Sequence, residues 1–179
     1  LKKYEVDNET TQLNQDAFRA IADWYHLAIL ELIPLADFKN DPRWIARKLG
    51  ISPVEVQLAV DRLIRLGLVQ LNEDKLELQQ GDGFIPPAEI PSESIKKFHA
   101  QILKRASSAL YTQALGQREY GTYIMAIDKS KLKEAKQASR EFQHKFCKQM
   151  GEAETKDGVY CLSFQFFDLD VLLVQNLFR

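Results

Sequence analysis

Apolar residues in the first half of the chain recur at helical spacing in three runs, and the rhythm then changes to alternation. In the first run Phe18, Ile21, Ala22, Tyr25, Ala28, Ile29 and Leu32 share one face of a helix expected from Ala17 to Ile33, where Pro34 stops it. In the second, Asp41 caps a helix that Pro42 opens and Gly50 ends, with Ile45, Ala46 and Leu49 inward. The third starts at Ser52, which stands three residues before Glu55 as a capping box requires. Stepping 100° per residue puts Val56, Ala59, Val60, Leu63, Ile64 and Leu66 on its inner face. The opposite face then shows Val54, Gln57, Leu58, Asp61, Arg62 and Arg65. Leu68 to Leu71 and Lys75 to Leu78 alternate around the polar turn Asn72-Glu73-Asp74 and predict a hairpin. Two helices joined by a short turn and followed by a hairpin make a winged helix-turn-helix.

The second half follows a glycine- and proline-rich stretch containing Gly81, Gly83, Pro86, Pro87 and Pro91. The expected division is therefore a winged helix-turn-helix domain over 1–80, a linker over 81–92 and a C-terminal α+β domain over 93–179. Residues from Leu1 to Asp16 are polar and aperiodic and are expected as a loose lead-in. Ser92 or Ser94 caps a long helix to about Leu115, ended by Gly116. Its stripe of Ile95, Phe98, Ile102, Ala106, Ala109, Leu110 and Ala114 suits either a dimer seam or a packing face within the domain. Tyr120 to Ile127 reads as a strand. A helix follows to Gly151, with Leu132, Ala135, Phe142, Phe146 and Met150 inward. Val159 to Phe167 alternates, Tyr160, Leu162, Phe164 and Phe166 on one face and Cys161, Ser163 and Gln165 on the other. This is a β-α-β-like unit, and a third strand from Val171 to Leu177 or a second copy of the chain would complete its sheet. The fold class is α+β.

Charge modifies the first domain's reading. The chain of 179 residues has a net charge of −1, but residues 1–92 hold 10 Lys/Arg against 15 Asp/Glu, and residues 93–179 hold 14 against 10. The half with the helix-turn-helix is thus the acidic one, which counts against DNA binding, since affinity for DNA rests on cations facing phosphates. The recognition face would have to rely on a few residues. Arg43, Arg47, Lys48, Gln57, Arg62 and Arg65 are the expected DNA contacts, while Asp61, Glu73 and Asp74 oppose them. The outward pair Val54 and Leu58, with Asp61 beside it, equally suits a protein contact. A second electrostatic feature is the helix carrying Lys129, Lys131, Lys133, Lys136, Arg140, Lys145 and Lys148. It reads as a solvated face or as a contact for nucleic acid or an acidic partner.

Catalytic and metal chemistry find little support. Gly81-Asp82-Gly83 lacks the strand and helix a phosphate loop needs. His26, His99 and His144 are scattered, and His144 with Cys147 provides only two ligands. Cys147 and Cys161 are expected as reduced, buried thiols. No run approaches the length of a membrane span, since Ile21 to Leu35 is broken by Asp23, His26 and Glu31. The expectation is a cytoplasmic non-enzyme without metal or cofactor.

Several fragments in fixed order carry a family resemblance. They are Trp24-Tyr25-His26 with Ala28, Ile29 and Leu32; Trp44-Ile45-Ala46 with Leu49-Gly50; and Leu66-Gly67-Leu68. Further on come Ile90-Pro91-Ser92 with Phe98-His99, and Val159-Tyr160-Cys161-Leu162 with Phe166-Phe167. Together, from about Phe18 to Leu169, they resemble a bacterial paralogous family defined by a domain of unknown function (DUF4423), whose members are often labelled transcriptional regulators. The resemblance implies DNA binding and supplies no catalytic residues. Phe167-Asp168-Leu169 departs from the family's usual Phe-Pro-Leu, a change expected to affect only a turn. Members usually carry a further N-terminal helix-turn-helix-like region, so a chain opening at Leu1 is expected to be a fragment.

Two functions follow as expectations. One is a DNA-binding transcriptional regulator, acting as a homodimer, whose C-terminal domain dimerises or senses a signal. The other is a protein–protein interaction module built on a winged helix that does not itself bind DNA.

Overall fold

The computed structural model describes residues 16–20, 22–79 and 92–170. The linker expected over 81–92, apart from Ser92, and the strand expected from Val171 to Leu177 lie outside the described residues. The helices are α1 (Tyr25–Leu32), α2 (Pro42–Leu49), α3 (Pro53–Arg65), α4 (Ser92–Thr112) and α5 (Leu132–Gly151). One hairpin, β1 (Val69–Asn72) and β2 (Lys75–Leu78), completes a mixed α+β architecture. By its internal contacts the chain forms two compact units. One ends at Glu119 and takes in Glu154–Tyr160; the other runs Tyr120–Ala153 and resumes at Cys161.

The first unit forms where the sequence punctuation says it should. Asp41 Oδ1 accepts from the Arg43 N–H at 2.9 Å, and Pro42 follows at the first position of α2. Gly50, at φ +66°, ends that helix in the left-handed conformation glycine takes without strain. The capping box on α3 closes both ways: Glu55 N–H donates to Ser52 Oγ at 3.2 Å, and Ser52 N–H to Glu55 Oε2 at 2.7 Å. Ile29, Leu32, Ile45, Leu49, Val56, Ala59, Leu63, Val69 and Leu76 meet in one apolar core beneath α1, α2, α3 and the hairpin. The hairpin pairs antiparallel, Val69 opposite Leu78 and Leu71 opposite Leu76.

Several expectations need correction. The first helix is not continuous from Ala17 to Ile33. Residues 16–20 are helical, the chain bends at Asp23 and Trp24, and α1 begins at Tyr25. The Trp24 N–H donates not to its own helix but to Gln101 Oε1 at 3.1 Å on α4, which diverts the backbone at the bend. Asp16, read as the end of a loose lead-in, lies in the helical segment and is buried. On α3, Ile64 is exposed rather than inward, and Arg62 is buried rather than outward.

The long helix α4 belongs to this first unit, and the boundary drawn at 81–92 divides the chain differently from these units. Lys97 pairs with Asp23 at 2.5 Å, and Gln101 Nε2 donates to the same carboxylate at 3.2 Å. Arg105 lies 3.4 Å from the centroid of the Trp24 ring and donates to the Leu49 carbonyl at the end of α2. A guanidinium over an indole face gains from the ring's quadrupole while filling an orphan carbonyl.

In the second unit Asp128 Oδ1 accepts from the Ser130 N–H at 2.9 Å, opening a 3-10 turn over Lys129–Lys131 that leads into α5. The strands expected over Tyr120 to Ile127 and Val159 to Phe167 do not form, since β1–β2 is the only ladder among the described residues. Alternation of period two marks which side chains would share a face, but it supplies no partner backbone. Accordingly Leu132, Phe142, Phe146 and Met150, expected inward on α5, stand exposed. Cys147 and Cys161, expected as buried thiols, are free and exposed. No helix among the described residues is long and apolar enough to cross a membrane.

The hairpin turn carries a measurable strain. Glu73 and Asp74 both have positive φ, 45° and 63°, where a Cβ costs about 1–2 kcal/mol. Replacing them as Glu73→Asn with Asp74→Gly, the pair such a turn favours, is expected to stabilise the chain by about 1 kcal/mol. Equilibrium urea unfolding measures this, and an unchanged or lower midpoint would show that the turn is not strained.

Candidate interaction surface

The outward side of α3 and the adjoining part of α2 carry the residues expected to contact a partner. Val54 and Leu58, 67% and 54% exposed, stand one turn apart on α3. Beside them Gln57 Nε2 donates to Asp61 Oδ1 at 2.9 Å, an i, i+4 pair. Glu55 adds a carboxylate near the start of the helix, held below the usual carboxylate range by hydrogen bonds from Ser52. The turn of the hairpin brings Glu73 and Asp74 to the surface, with Lys75 after them.

The two arginines of α3 face a different group. Arg62 is 7% exposed; its Nε donates to Asp16 Oδ1 at 3.1 Å and its Nη1 to His26 Nε2 at 2.7 Å. Arg65 holds the same carboxylate through two bonds, Nε to Oδ2 at 2.6 Å and Nη2 to Oδ1 at 3.0 Å. Planar guanidinium and carboxylate match in this fork geometry. The bond to Asp16 raises the Arg65 pKa further above its ordinary range. Arg65 remains about half in solvent, but both arginines spend their charge on Asp16.

The geometry fixes the state of His26. A guanidinium can only donate, so Nε2 is the bare, accepting nitrogen. Nδ1 therefore carries the proton and donates to the Asp23 carbonyl at 2.9 Å. The ring is fully buried, and Tyr25 stacks on it at 4.8 Å between centroids. Burial pushes the His26 pKa down, and the nearby Arg62 charge adds to that, while the bond to the Asp23 carbonyl works against them. Asp23 is below its usual value too. Burial raises it, but the bonds from Lys97 and Gln101 and the Lys97 charge outweigh that.

The other expected contacts lie on α2. Arg43 and Arg47 are exposed and, with Ala46, Ile51 and Pro53, line a shallow hollow at the start of α3. Lys48 pairs with Asp37 at 3.0 Å and lies 5.0 Å from the centroid of the Trp44 ring. The structure thus brings Arg43 and Arg47 together, ties Lys48 and Gln57 to local carboxylates, and turns Arg62 inward. The sequence places Asp16 only at the end of a polar lead-in and His26 only among scattered histidines. Asp16 stands directly before an apolar helical run, which marks it as ordered, but its partners are 46 and 49 positions away and leave no local trace. No group of three or more His, Cys, Asp or Glu that could hold a metal occurs among the described residues.

The buried cluster makes a pH prediction. The unfolded chain binds a proton at His26 near pH 6.5, while the folded site does so only at lower pH, so the unfolded state holds more protons in between. Stability contributed by neutral His26 is full above about pH 6.5 and falls as the pH drops below it, by at most about 1.4 kcal/mol per unit. Thermal melts between pH 7.5 and 5 are expected to show the loss, and His26→Gln, which keeps a donor and an acceptor, is expected to flatten it. Arg62→Ala is expected to cost about 1–3 kcal/mol, because it removes a buried charged hydrogen bond to Asp16 and leaves His26 Nε2 without its donor.

A family model described as Domain of unknown function (DUF4423) matches residues 5–169. No curated protein and no solved structure matches the chain.

Proposed function

The chain belongs to the DUF4423 family, and from that premise we propose that it is a non-enzymatic regulatory module that docks a protein partner on a winged-helix frame. One observation carries the reading: both arginines of α3 are engaged by Asp16, and Arg62 is buried with it. What α3 then offers outward is an apolar pair, Val54 and Leu58, beside a Gln57–Asp61 couple and Glu55. Such a surface repels phosphate and suits an apolar protein segment with a basic rim. The reading includes a cytoplasmic setting, supported by two unpaired thiols, Cys147 and Cys161.

A second reading, a homodimeric DNA-binding transcriptional regulator, is favoured by Arg43 and Arg47. Both are exposed and line the hollow beside the start of α3, a pair of cations that suits a phosphate. Arg62 and Arg65 are poor probes of this reading, because removing them damages the fold.

Fluorescence anisotropy with a random duplex at low salt separates the two. No saturable binding is expected. Binding whose salt slope falls by about 2 in the Arg43→Ala, Arg47→Ala variant would overturn the protein-docking reading in favour of DNA. A photo-crosslinking amino acid in place of Leu58 is expected to capture polypeptide rather than nucleic acid in cells.

A further inference from the structure

The segment from Val159 to Phe167 is uncharged and holds seven apolar or aromatic side chains. Tyr160 is 81% exposed and Phe167 70%, and Val159, Leu162, Phe164 and Phe166 are exposed as well. Among the described residues, no backbone–backbone hydrogen bond involves residues 161–167. A run of this composition with an unpaired backbone is a template for another strand.

The sequence restricts which strand fits. In an antiparallel pair, residues directly opposite share a face, and their numbers have a constant sum. For a segment paired with its own copy, a twofold axis at Ser163 sets Tyr160 against Phe166 and Leu162 against Phe164, each twice. Val159 then meets Phe167, Cys161 meets Gln165, and beyond the ladder Lys156 comes opposite Asp170. An axis at Leu162 puts Phe166 against Gly158, and one at Phe164 puts Tyr160 against Asp168. Axes between residues set the aromatic face against the polar one. Only the Ser163 register joins apolar to apolar at every aromatic-face position and cation to anion at both ends.

We propose that the segment from Val159 to Phe167 is an interface with a second copy of this chain, the two copies pairing it antiparallel about a twofold axis at Ser163. The interface is isologous, so each cross-strand contact occurs twice, and it forms a ladder that the described residues of one chain do not build. Tyr160–Phe166 and Leu162–Phe164 supply its attraction, since aromatic and aliphatic cross-strand pairs are the units that stabilise a ladder. Lys156 and Asp170 fix the register. This inference is independent of which macromolecule α3 contacts.

Analytical ultracentrifugation of the whole chain is expected to show a dimer, and a monomer at every concentration would overturn the proposal. In a Cys147→Ser, Cys161→Ser background, Ser163→Cys faces itself across the axis and is expected to form a disulfide-linked dimer on oxidation. Val159→Cys in the same background stands roughly 27 Å from its own copy in this register and is expected not to crosslink. A dimer in which Val159→Cys crosslinks and Ser163→Cys does not would overturn the register, as would one in which neither does. Asp170→Lys is expected to weaken the dimer roughly threefold to thirtyfold. Adding Lys156→Asp is expected to restore it, although the contact of Asp170 with Lys129, 3.7 Å apart, stays broken. Failure of that rescue would count against the Lys156–Asp170 pairing and so against the axis.

Discussion

One buried carboxylate organises the first unit. Asp16 is almost fully covered and binds two guanidinium groups of α3, one of which also reaches the buried His26 of α1. A charge in that position is tolerable only with partners, and removing Asp16 would leave the buried Arg62 guanidinium without its counter-charge in a low-dielectric site. The cluster therefore sets the rotation of α3 about its own axis. With Arg62 drawn inward, Val54 and Leu58 must lie outward. Apolar burial alone would allow a helix with residues such as Ile64 on its flank some freedom to roll, and the ion cluster takes that freedom away.

This arrangement also explains what the sequence could and could not say. Caps, helix ends and the hairpin were legible because they are written in neighbouring residues: Asp41 with Arg43, Ser52 with Glu55, and the left-handed Gly50. The inward face of α3 was legible at Val56, Ala59 and Leu63, where apolar spacing and burial agree. Arg62 was not. A helical wheel sorts residues by angle and treats arginine as an outward residue, whereas its location here is decided by an acid 46 positions earlier. The bend at Asp23 was hidden for the same reason, since the group that diverts the Trp24 N–H belongs to α4.

The second unit shows the complementary limit. Its helix α5 was legible in its end, with Gly151 at the last position. The alternating segments on either side of it were legible as faces but not as strands. A helix satisfies its own backbone, whereas a strand depends on a neighbour that a pattern of side chains does not specify. The candidate surface divides in the same way. Val54 and Leu58 could be located from local spacing, but the inward turn of Arg62 required the long-range partner to be seen.

The long helix α4 touches the rest of its unit through Lys97, Gln101 and Arg105, which recur every fourth residue and fall along one side of the helix. The helix thereby acts as a measuring rod. Each rung must arrive at a fixed height: the lower two at the carboxylate of Asp23, the upper one at the Trp24 ring and the last carbonyl of α2. Gaining or losing one residue between Lys97 and Arg105 would swing the rungs beyond it by about 100° and detach one end of the rod from its seat. In this part of the chain, length is constrained more tightly than side-chain identity.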